Sequence, residues 1–307
     1  MSGPSLRRAY LALFLLLVGC AHPGKPPPAP VPVTKARTPP PGLFLYRVER
    51  GGTSSYLLGT IHLGFGFDEV LTPAARAGFE RAELVITETD VGADAAERMM
   101  RAALLPADQS LQTLLEPVCW QTLESRLEGQ VPTPVLVHLR PWLPAVLLGI
   151  MELTRAFDEL RPGKSGHMMD VELMEQARQK KKRVEHLESV DEQIAVFEGI
   201  SLDEQVAELK HALTEQSTGQ SRELVKAFAS GDEQTLSRAL FDATQLEQAP
   251  GFYKAVLFDR NARWLPVLER ALAAGNTFVA VGAAHLLGDG GLLASFKARG
   301  FSVTRVY

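Results

Sequence analysis

Two histidines follow glycines at the same spacing, and they are the first candidates for chemistry. Each pattern is Gly-x-x-His: one runs from Gly59 to His62 and the other from Gly282 to His285. Both patterns end an apolar, β-rich run, so each predicts a buried strand, a tight turn and an imidazole near the end of the strand. Glycine leaves space beside the backbone for a ligand. Two copies of this arrangement in 307 residues predict one shared site that contains both histidines.

Glu88 and Arg260 supply the other chemical groups of the predicted site. Glu88 also follows an apolar run and is a candidate metal ligand or general base. Arg260 lies in a predicted helix and is either a donor to an oxyanion or an ordinary surface cation. Asp90 either shares the role of Glu88 or caps a helix, and Asp170 is expected to be a helix N-cap. The secondary candidates for the site are Gly59, Gly282, Asp90, Asp170 and Glu188.

Several common catalytic arrangements do not occur in the sequence. His62 and His285 are far apart in the chain, whereas the His-Glu-x-x-His zinc proteases place two histidines four residues apart on one helix. There is no Gly-x-Ser-x-Gly motif, which positions the serine nucleophile of α/β-hydrolases. Cys119 lies in an apolar stretch typical of a buried structural thiol. Chemistry through an acyl-enzyme therefore has little support.

The elements that must position these residues form two α/β blocks. Residues 43–50 alternate apolar and polar side chains and lead through Gly51 and Gly52 into the strand before His62, which predicts a hairpin. A helix at 73–81 and a strand at 84–87 follow. Near the other end, a helix at 252–273 precedes a strand that begins at Thr277, a helix at 292–299 and a strand at 301–307. Because the carboxyl ends of parallel strands form the ligand-binding edge of such sheets, the candidate residues are expected there.

The middle of the chain is predicted to be mainly helical. From about residue 93 to residue 249 helical patterns dominate, and a short strand at 183–188 is the one β signal within them. The predicted fold class is therefore α/β, with a mixed sheet built from the N- and C-terminal halves and a helical lobe inserted between them at about 93–249.

The N-terminus predicts export and lipid anchoring. Arg7 and Arg8 precede an apolar run from 9 to 18, and the four residues that end at Cys20, LVGC, resemble the bacterial lipoprotein box. Residues 1–19 are then a signal peptide, 20–42 a Pro-rich tether and 43–307 the folded domain. Ala21, rather than an aspartate, follows the cysteine, which favours an outer-membrane lipoprotein that faces the periplasm. The alternative is a plain secretory signal in which the cysteine is incidental.

The charge balance excludes one class of partner. Without residues 1–19 the chain has 30 basic and 36 acidic residues, a formal net charge of −6. No basic patch with interleaved aromatic residues occurs, so a nucleic-acid partner is not expected. The predicted partners are a peptide or small-molecule substrate and a membrane, through the lipid anchor. The oligomeric state is left open.

The two Gly-x-x-His motifs resemble those of the TraB/GumN family, which includes the Tiki-type metalloproteases. Three further stretches support the resemblance, and it covers nearly all of residues 43–307. These stretches are Thr87–Asp90, the segment from Gly166 and Asp170 to Ala177 with Leu187, Glu188 and Gln193, and Asp259–Asn261. The resemblance implies an α/β fold in which the two motifs meet at one site. For the Tiki type it implies metal-dependent hydrolysis of peptides, whereas other related proteins are esterases or bind haem.

A divalent cation at His62, His285 and Glu88 would explain this donor set. Such a cation lowers the pKa of a bound water to about 7 and polarises a carbonyl group. Two imidazoles and one carboxylate leave coordination positions for water and substrate. Manganese, cobalt and zinc are the candidate metals. The leading hypothesis is thus a metal-dependent hydrolase, most simply a peptidase, and the alternative is a lipoprotein that binds haem or a metal without catalysis.

Overall fold

Six strands form one mixed sheet in the computed structural model, which describes residues 44–90, 94–163, 167–241 and 243–306 apart from the side chains of 244 and 245. The strands are β1 (Leu45–Arg50), β2 (Thr53–Thr60), β3 (Leu84–Thr87), β4 (Arg183–His186), β5 (Thr277–Gly282) and β6 (Ser302–Arg305). Their order across the sheet is β4-β3-β5-β2-β1-β6. The predicted signal peptide, Cys20 and the tether lie outside the described residues, as does Gly166.

Helices surround the sheet and make up the middle of the chain. Before the long central helix they are α1 (Phe67–Val70), α2 (Pro73–Arg81), α3 (Ala95–Ala102), α4 (Leu111–Leu114), α5 (Pro117–Arg126) and α6 (Thr133–Leu136). The central part contains α7 (Trp142–Leu160), α8 (Met169–Gln179), α9 (Val190–Glu198), α10 (Leu202–Ala212), α11 (Glu215–Ser230) and α12 (Glu233–Leu240). The last part contains α13 (Ala243–Gln248), α14 (Pro250–Tyr253), a π-helix (Lys254–Phe258), α15 (Asp259–Ala274), α16 (Ala283–Leu286) and α17 (Leu292–Ala298).

The N-terminal hairpin is the one predicted from the sequence. β1 and β2 pair antiparallel, with Arg50 opposite Thr53. Gly51 and Gly52 form the connection with φ angles of +60° and +83°, a region that glycine enters without steric cost. The hairpin fixes the start of β2 and thereby the point at which His62 leaves the sheet.

Three parallel strands in the centre of the sheet place the candidate residues at one edge. β5 lies between β2 and β3 and is parallel to both, with Thr60 opposite Gly282 and Ile86 opposite Val279. Every residue of β5 is buried, as expected for a strand covered on both faces. Because the three strands run in the same direction, their carboxyl ends lie side by side, and the α/β fold class is confirmed.

The tertiary structure adds details that the predicted elements leave open. The last strand, β6, pairs with β1 at the far edge of the sheet, where Tyr46 is opposite Arg305. His285 comes three residues after the end of β5, on the short helix α16 that begins at Ala283. The middle of the chain also contributes β4 to the sheet, parallel to β3.

Two hydrophobic cores divide the helices into a layer on the sheet and a separate lobe. The core at the sheet includes Phe44, Leu57, Phe79, Phe278 and Phe296. The lobe core includes Met99, Trp120, Leu123, Leu136 and Leu209.

Helix α7 connects the two cores. Its first half places Trp142, Leu143 and Leu148 in the lobe core, and its second half places Ala156 and Phe157 in the core at the sheet. Among the described helices, none is long and apolar enough to cross a bilayer.

Gly59 is required for close packing. A Cβ atom at this position would lie 3.0 Å from Leu286 Cδ1, 3.1 Å from Phe44 Cβ and 3.2 Å from the backbone Cα of Ala283. Leu286 and Phe44 are fully buried, so neither side chain has space into which to move. We therefore expect Gly59→Ala to lower the free energy of unfolding by about 1–3 kcal/mol, as overpacked cores do, measured by urea denaturation.

Gly282→Ala is the matched control for this variant. The nearest atom to a Cβ atom at Gly282 is a carboxylate oxygen of Glu88 at 3.3 Å, and the next contacts are at 3.7 and 3.8 Å. Gly282 has φ −50° and ψ 137°, which alanine adopts readily. The free energy of unfolding of Gly282→Ala is therefore expected to change much less than that of Gly59→Ala. An equal loss in both variants would contradict the packing role of Gly59.

Candidate functional site

The structure brings His62, Glu88 and His285 together around an open space beside Gly282. Glu88 follows β3 directly, His62 comes two residues after β2, and His285 lies on α16 after β5. A Cβ atom on Gly282 would be 3.3 Å from Glu88 Oε1, 3.8 Å from His62 Nε2 and 3.7 Å from His285 Cδ2. The second Gly-x-x-His motif therefore provides both a histidine and, through its glycine, the space between the candidate ligands.

His285 is buried, and Asn261 fixes the orientation and the protonation of its ring. The side-chain amide of Asn261 donates to the carbonyl oxygens of His285 (3.1 Å) and Gly290 (3.2 Å), so its Oδ1 is left to accept from His285 Nδ1 at 2.8 Å. This assigns the proton of the imidazole to Nδ1 and leaves Nε2 as an acceptor. Burial lowers the pKa of His285 to about 4, so the ring is neutral at pH 7.

Arg260 joins the two buried carboxylates of the site. Its Nε donates to both oxygens of Glu188 at 3.1 and 3.2 Å, and its Nη2 donates to Glu88 Oε2 and Glu188 Oε1 at 2.6 Å each. Its Nη1 donates to the carbonyl oxygen of Val256 and to His285 Nε2, both at 3.1 Å. All five N–H groups of the guanidinium thus have acceptors. Arg260 is therefore not a surface cation. To act as the expected oxyanion donor, it would have to give up one of these hydrogen bonds in exchange for a bond to the substrate.

The charges around Glu88 keep it ionised. Burial by itself would raise the pKa of Glu88, but the neighbouring His285 and Arg260 lower it to about 2. His62 and the backbone N–H of Gly282, which donates to Glu88 Oε1 at 2.7 Å, act in the same direction. Since His285 is neutral at pH 7, Arg260 is the main cation that stabilises this carboxylate. The Arg260 pKa is raised, because Glu88 and Glu188 outweigh the effect of burial.

His62 is held by Asp170. The Nδ1 atom of His62 lies 2.9 Å from Asp170 Oδ2, and Asp170 Oδ1 accepts a hydrogen bond from Thr60 Oγ1 at 2.8 Å. The His62 imidazole lies on the floor of a pocket that protein surrounds. Within this pocket, 64% of the surface of the His62 side chain is exposed. Withdrawal from bulk water lowers the pKa of His62, but the charge and hydrogen bond of Asp170 raise it to about 9. Ligation of a metal by His62 therefore requires loss of a proton.

Asp170 is not the N-cap that the sequence predicts. The N-cap position of α8 is Met168, and Asp170 lies in the first turn of the helix. Its carboxylate instead connects the helix to the end of β2, through Thr60 and His62. The prediction of an N-cap was wrong because the short carboxylate side chain of aspartate can either cap a helix or pair with an imidazole, and here it pairs with His62.

Of the other secondary candidates, Glu188 belongs to the site and Asp90 does not. Glu188 belongs to the site, since its side chain is 2% exposed and accepts hydrogen bonds from Arg260 and from Trp264 Nε1 at 3.2 Å. Asp90 is half-exposed and pairs with Arg178 at 3.0 Å, outside the group around Gly282. Gly59 acts through packing. Sequence reasoning did not identify Asn261 as the residue that orients His285, although it directly follows Arg260.

A pocket of about 380 Å³ opens above these residues, between the carboxyl edge of the sheet and the helical lobe. Its floor contains His62, Glu88, Asp170 and Arg260, and its walls come mainly from α7, α8 and α9. The volume lies within the range of small-molecule and peptide side-chain sites. His62, Glu88 and Arg260, whose pKa values are perturbed, thus lie at the bottom of a cleft, where catalytic groups are typically found.

A divalent metal fits the chemistry of the donors. His62 Nε2 and Glu88 Oε1 face the space beside Gly282, and Asp170 orients His62 as carboxylates commonly orient metal-ligating imidazoles. His285 Nε2, 3.8 Å from Glu88 Oε1, accepts a hydrogen bond from Arg260 that a metal would have to replace. As the side chains stand, no three His, Cys, Asp or Glu residues of the described ranges are placed to hold one ion. The site therefore has the right donors and the space, and needs local rearrangement of Arg260.

Comparisons with known proteins show the family of the chain. The chain is 26% identical over 245 residues to the uncharacterized protein YbaP of Shigella flexneri and, equally, to that of Escherichia coli strain K12. Each alignment covers 79% of this chain and 87% of the relative. No solved structure matches the chain significantly. The sequence profile of the TraB/PrgY/gumN family matches residues 44–305, which include both Gly-x-x-His motifs, and the chain belongs to this family.

Proposed function

We propose that this protein is a metal-dependent hydrolase that cleaves peptide bonds. The observation that carries the proposal is the convergence of His62, Glu88 and His285 on the space beside Gly282, where His62 and Glu88 also line the floor of the pocket. Two of these side chains come from repeated motifs that are more than 200 positions apart in the sequence. Their convergence supports a shared chemical role.

The metal-binding residues of the proposal are His62, His285 and Glu88. A divalent cation such as manganese, cobalt or zinc would supply a Lewis acid and an activated water. Asp170 holds the ring of His62 so that Nε2 faces the open space, and Asn261 fixes the proton of His285 on Nδ1. In both rings Nδ1 is engaged and Nε2 is the nitrogen left to ligate a metal, as when a hydrogen bond to one ring nitrogen orients the other towards the metal.

Glu88 is held as a carboxylate by its surroundings. Gly282 N–H binds one of its oxygens and Arg260 binds the other. Glu88 is therefore suited to act as a metal ligand, and its low pKa makes it a weak general base. Arg260 and Glu188 fix its position.

The same histidines would serve the alternative, a haem- or metal-binding protein without catalysis. An apolar cleft with a histidine at its floor is also a feature of haem sites. A Soret band on titration with haem that is lost in His62→Ala would favour this alternative over hydrolysis.

Removal of the metal and loss of a ligand should have the same effect. We expect a chelator to abolish the cleavage of a mixture of peptides. Addition of manganese, cobalt or zinc, the three candidate metals, should restore it. His62→Ala and His285→Ala should lose both activity and bound metal, measured by elemental analysis of the purified protein. His211→Ala, in a histidine that bonds Gln220 outside the pocket, is the matched control and should retain both. Full activity after chelation would rule out the metal mechanism.

Asp170 should act as a positioning residue for His62. Asp170→Asn keeps the shape of the side chain but removes the negative charge that pairs with the imidazole. Because partners that orient metal ligands typically contribute 10–100-fold, we expect metal affinity or kcat/KM to fall by about that factor. The pKa of His62, followed by NMR, should fall at the same time. An Asp170→Asn variant with unchanged affinity, activity and His62 pKa would contradict this role.

The proposed location is the bacterial cell envelope, with a lipid on Cys20 and the domain at the periplasmic face of the outer membrane. The support is the basic and apolar N-terminus, the LVGC sequence and the Pro-rich tether. In Cys20→Ala, labelling with a radioactive fatty acid and partition into a detergent phase should both be lost. Cys119→Ala is the control and should behave like the parent chain. Retention of Cys20→Ala in the detergent phase would exclude the lipid anchor.

A further inference from the structure

The walls of the pocket differ sharply in chemistry from its floor. Val146, Ile150 and Leu153 lie on one face of α7, at a spacing of four and three residues, and all three are half-buried rather than packed away. From α9, Val196 and Phe197 face the same pocket. An apolar surface is therefore left open directly above the polar residues of the site.

The aromatic end of this surface is rigid. Phe197 stacks on the buried Trp142, with ring centroids 4.8 Å apart and an interplanar angle of 19°. Trp142 is packed in the lobe core, so Phe197 is held in place from behind. A ligand that contacts Phe197 meets a preformed surface and does not have to order it, which favours affinity.

Among the described residues, no charged side chain lies on the apolar walls of the pocket, where a ligand side chain would be held. The ionisable residues of the lining are on the floor, and they pair with one another as His62 with Asp170 and Glu88 with Arg260. The uncharged polar residues of the lining are Gln193 from α9 and, near the end of β3, Thr87 and Thr89. Burial of a charged group without a partner is costly, so the pocket disfavours a carboxylate or an ammonium group on the ligand.

We propose that the substrate is a peptide with a large uncharged side chain, aliphatic or aromatic, on a residue that adjoins the cleaved bond. This side chain lies against α7 and α9, and the peptide group lies over His62 and Glu88. The inference rests on the proposed hydrolysis of peptides and specifies which peptides are bound. The pocket volume of about 380 Å³ accommodates such a side chain together with the adjoining backbone.

Binding can be tested separately from cleavage. The ligands are acetyl-Gly-Gly-Xaa-Gly-Gly-amide pentapeptides with Xaa as Gly, Leu, Phe, Asp or Lys, N-methylated at both bonds that flank Xaa so that these bonds resist hydrolysis. Calorimetric titration of the full-length, metal-loaded protein should show that Leu and Phe peptides bind about tenfold or more tightly than the Gly peptide. The Asp and Lys peptides should bind no better than the Gly peptide.

Val146→Asn and Val118→Asn form a matched pair for the location of this preference. Val146 lines the pocket, whereas Val118 is 73% exposed on α5 outside it. Val146→Asn should reduce the Leu-to-Gly affinity ratio by several fold, and Val118→Asn should leave it unchanged. Because the ratio is measured within one preparation, it does not depend on the folded fraction of the variant. Equal affinity for Gly and Leu peptides, an unchanged ratio in Val146→Asn, or stronger binding of a charged peptide would overturn the inference.

The unmethylated peptides distinguish this inference from the proposed function. If the Leu and Phe peptides bind selectively but are not cleaved with any of the three metals, hydrolysis is refuted and the apolar preference stands. If all peptides are cleaved at equal kcat/KM, hydrolysis stands and the apolar preference is refuted.

Discussion

The structure of the site depends on one buried guanidinium. Glu88 and Glu188, at the ends of β3 and β4, have side chains that are 13% and 2% exposed, and such carboxylates cannot remain ionised in the interior without a cation. Arg260 meets this constraint because its planar fork donates to both at once. Since Arg260 also bonds His285, it ties the ends of two strands to α15 and α16. The arrangement fixes Glu88, but it also occupies a nitrogen that a metal would use.

The position of the lobe decides the shape of the pocket. The floor belongs to the sheet and the walls belong mainly to helices, so neither part forms the cleft alone. Helix α7 holds the two together, because its first half packs in the lobe core and its second half in the core at the sheet. The buried end of α7 near Phe157 thus anchors the apolar face that contains Val146 and Ile150. Because α7 is one continuous helix, the apolar wall and the polar floor are close enough for one ligand to contact both.

The two Gly-x-x-His motifs are alike in sequence but differ in what their glycines do. Gly59 lies among buried side chains and permits α16 to approach β2 closely. Gly282 faces Glu88 and His62, and the absence of a side chain there leaves the space of the site. The histidines differ as well: His62 is open to the pocket and paired with a carboxylate, whereas His285 is buried and neutral. The repeat predicts one site, but not two equivalent halves of it.

Sequence alone determined the parts that depend on local patterns. The hairpin, the strands before His62, Glu88 and His285, and the α/β class follow from apolar runs, glycine turns and the rule that parallel strand ends meet at one edge. The tertiary structure decided which side chains hold these residues. Asp170 contacts His62 across 108 positions and Glu188 contacts Arg260 across 72, and no local pattern encodes such pairs. Their charges are paired only because folding buries them together, and burial is a property of the whole chain rather than of any segment.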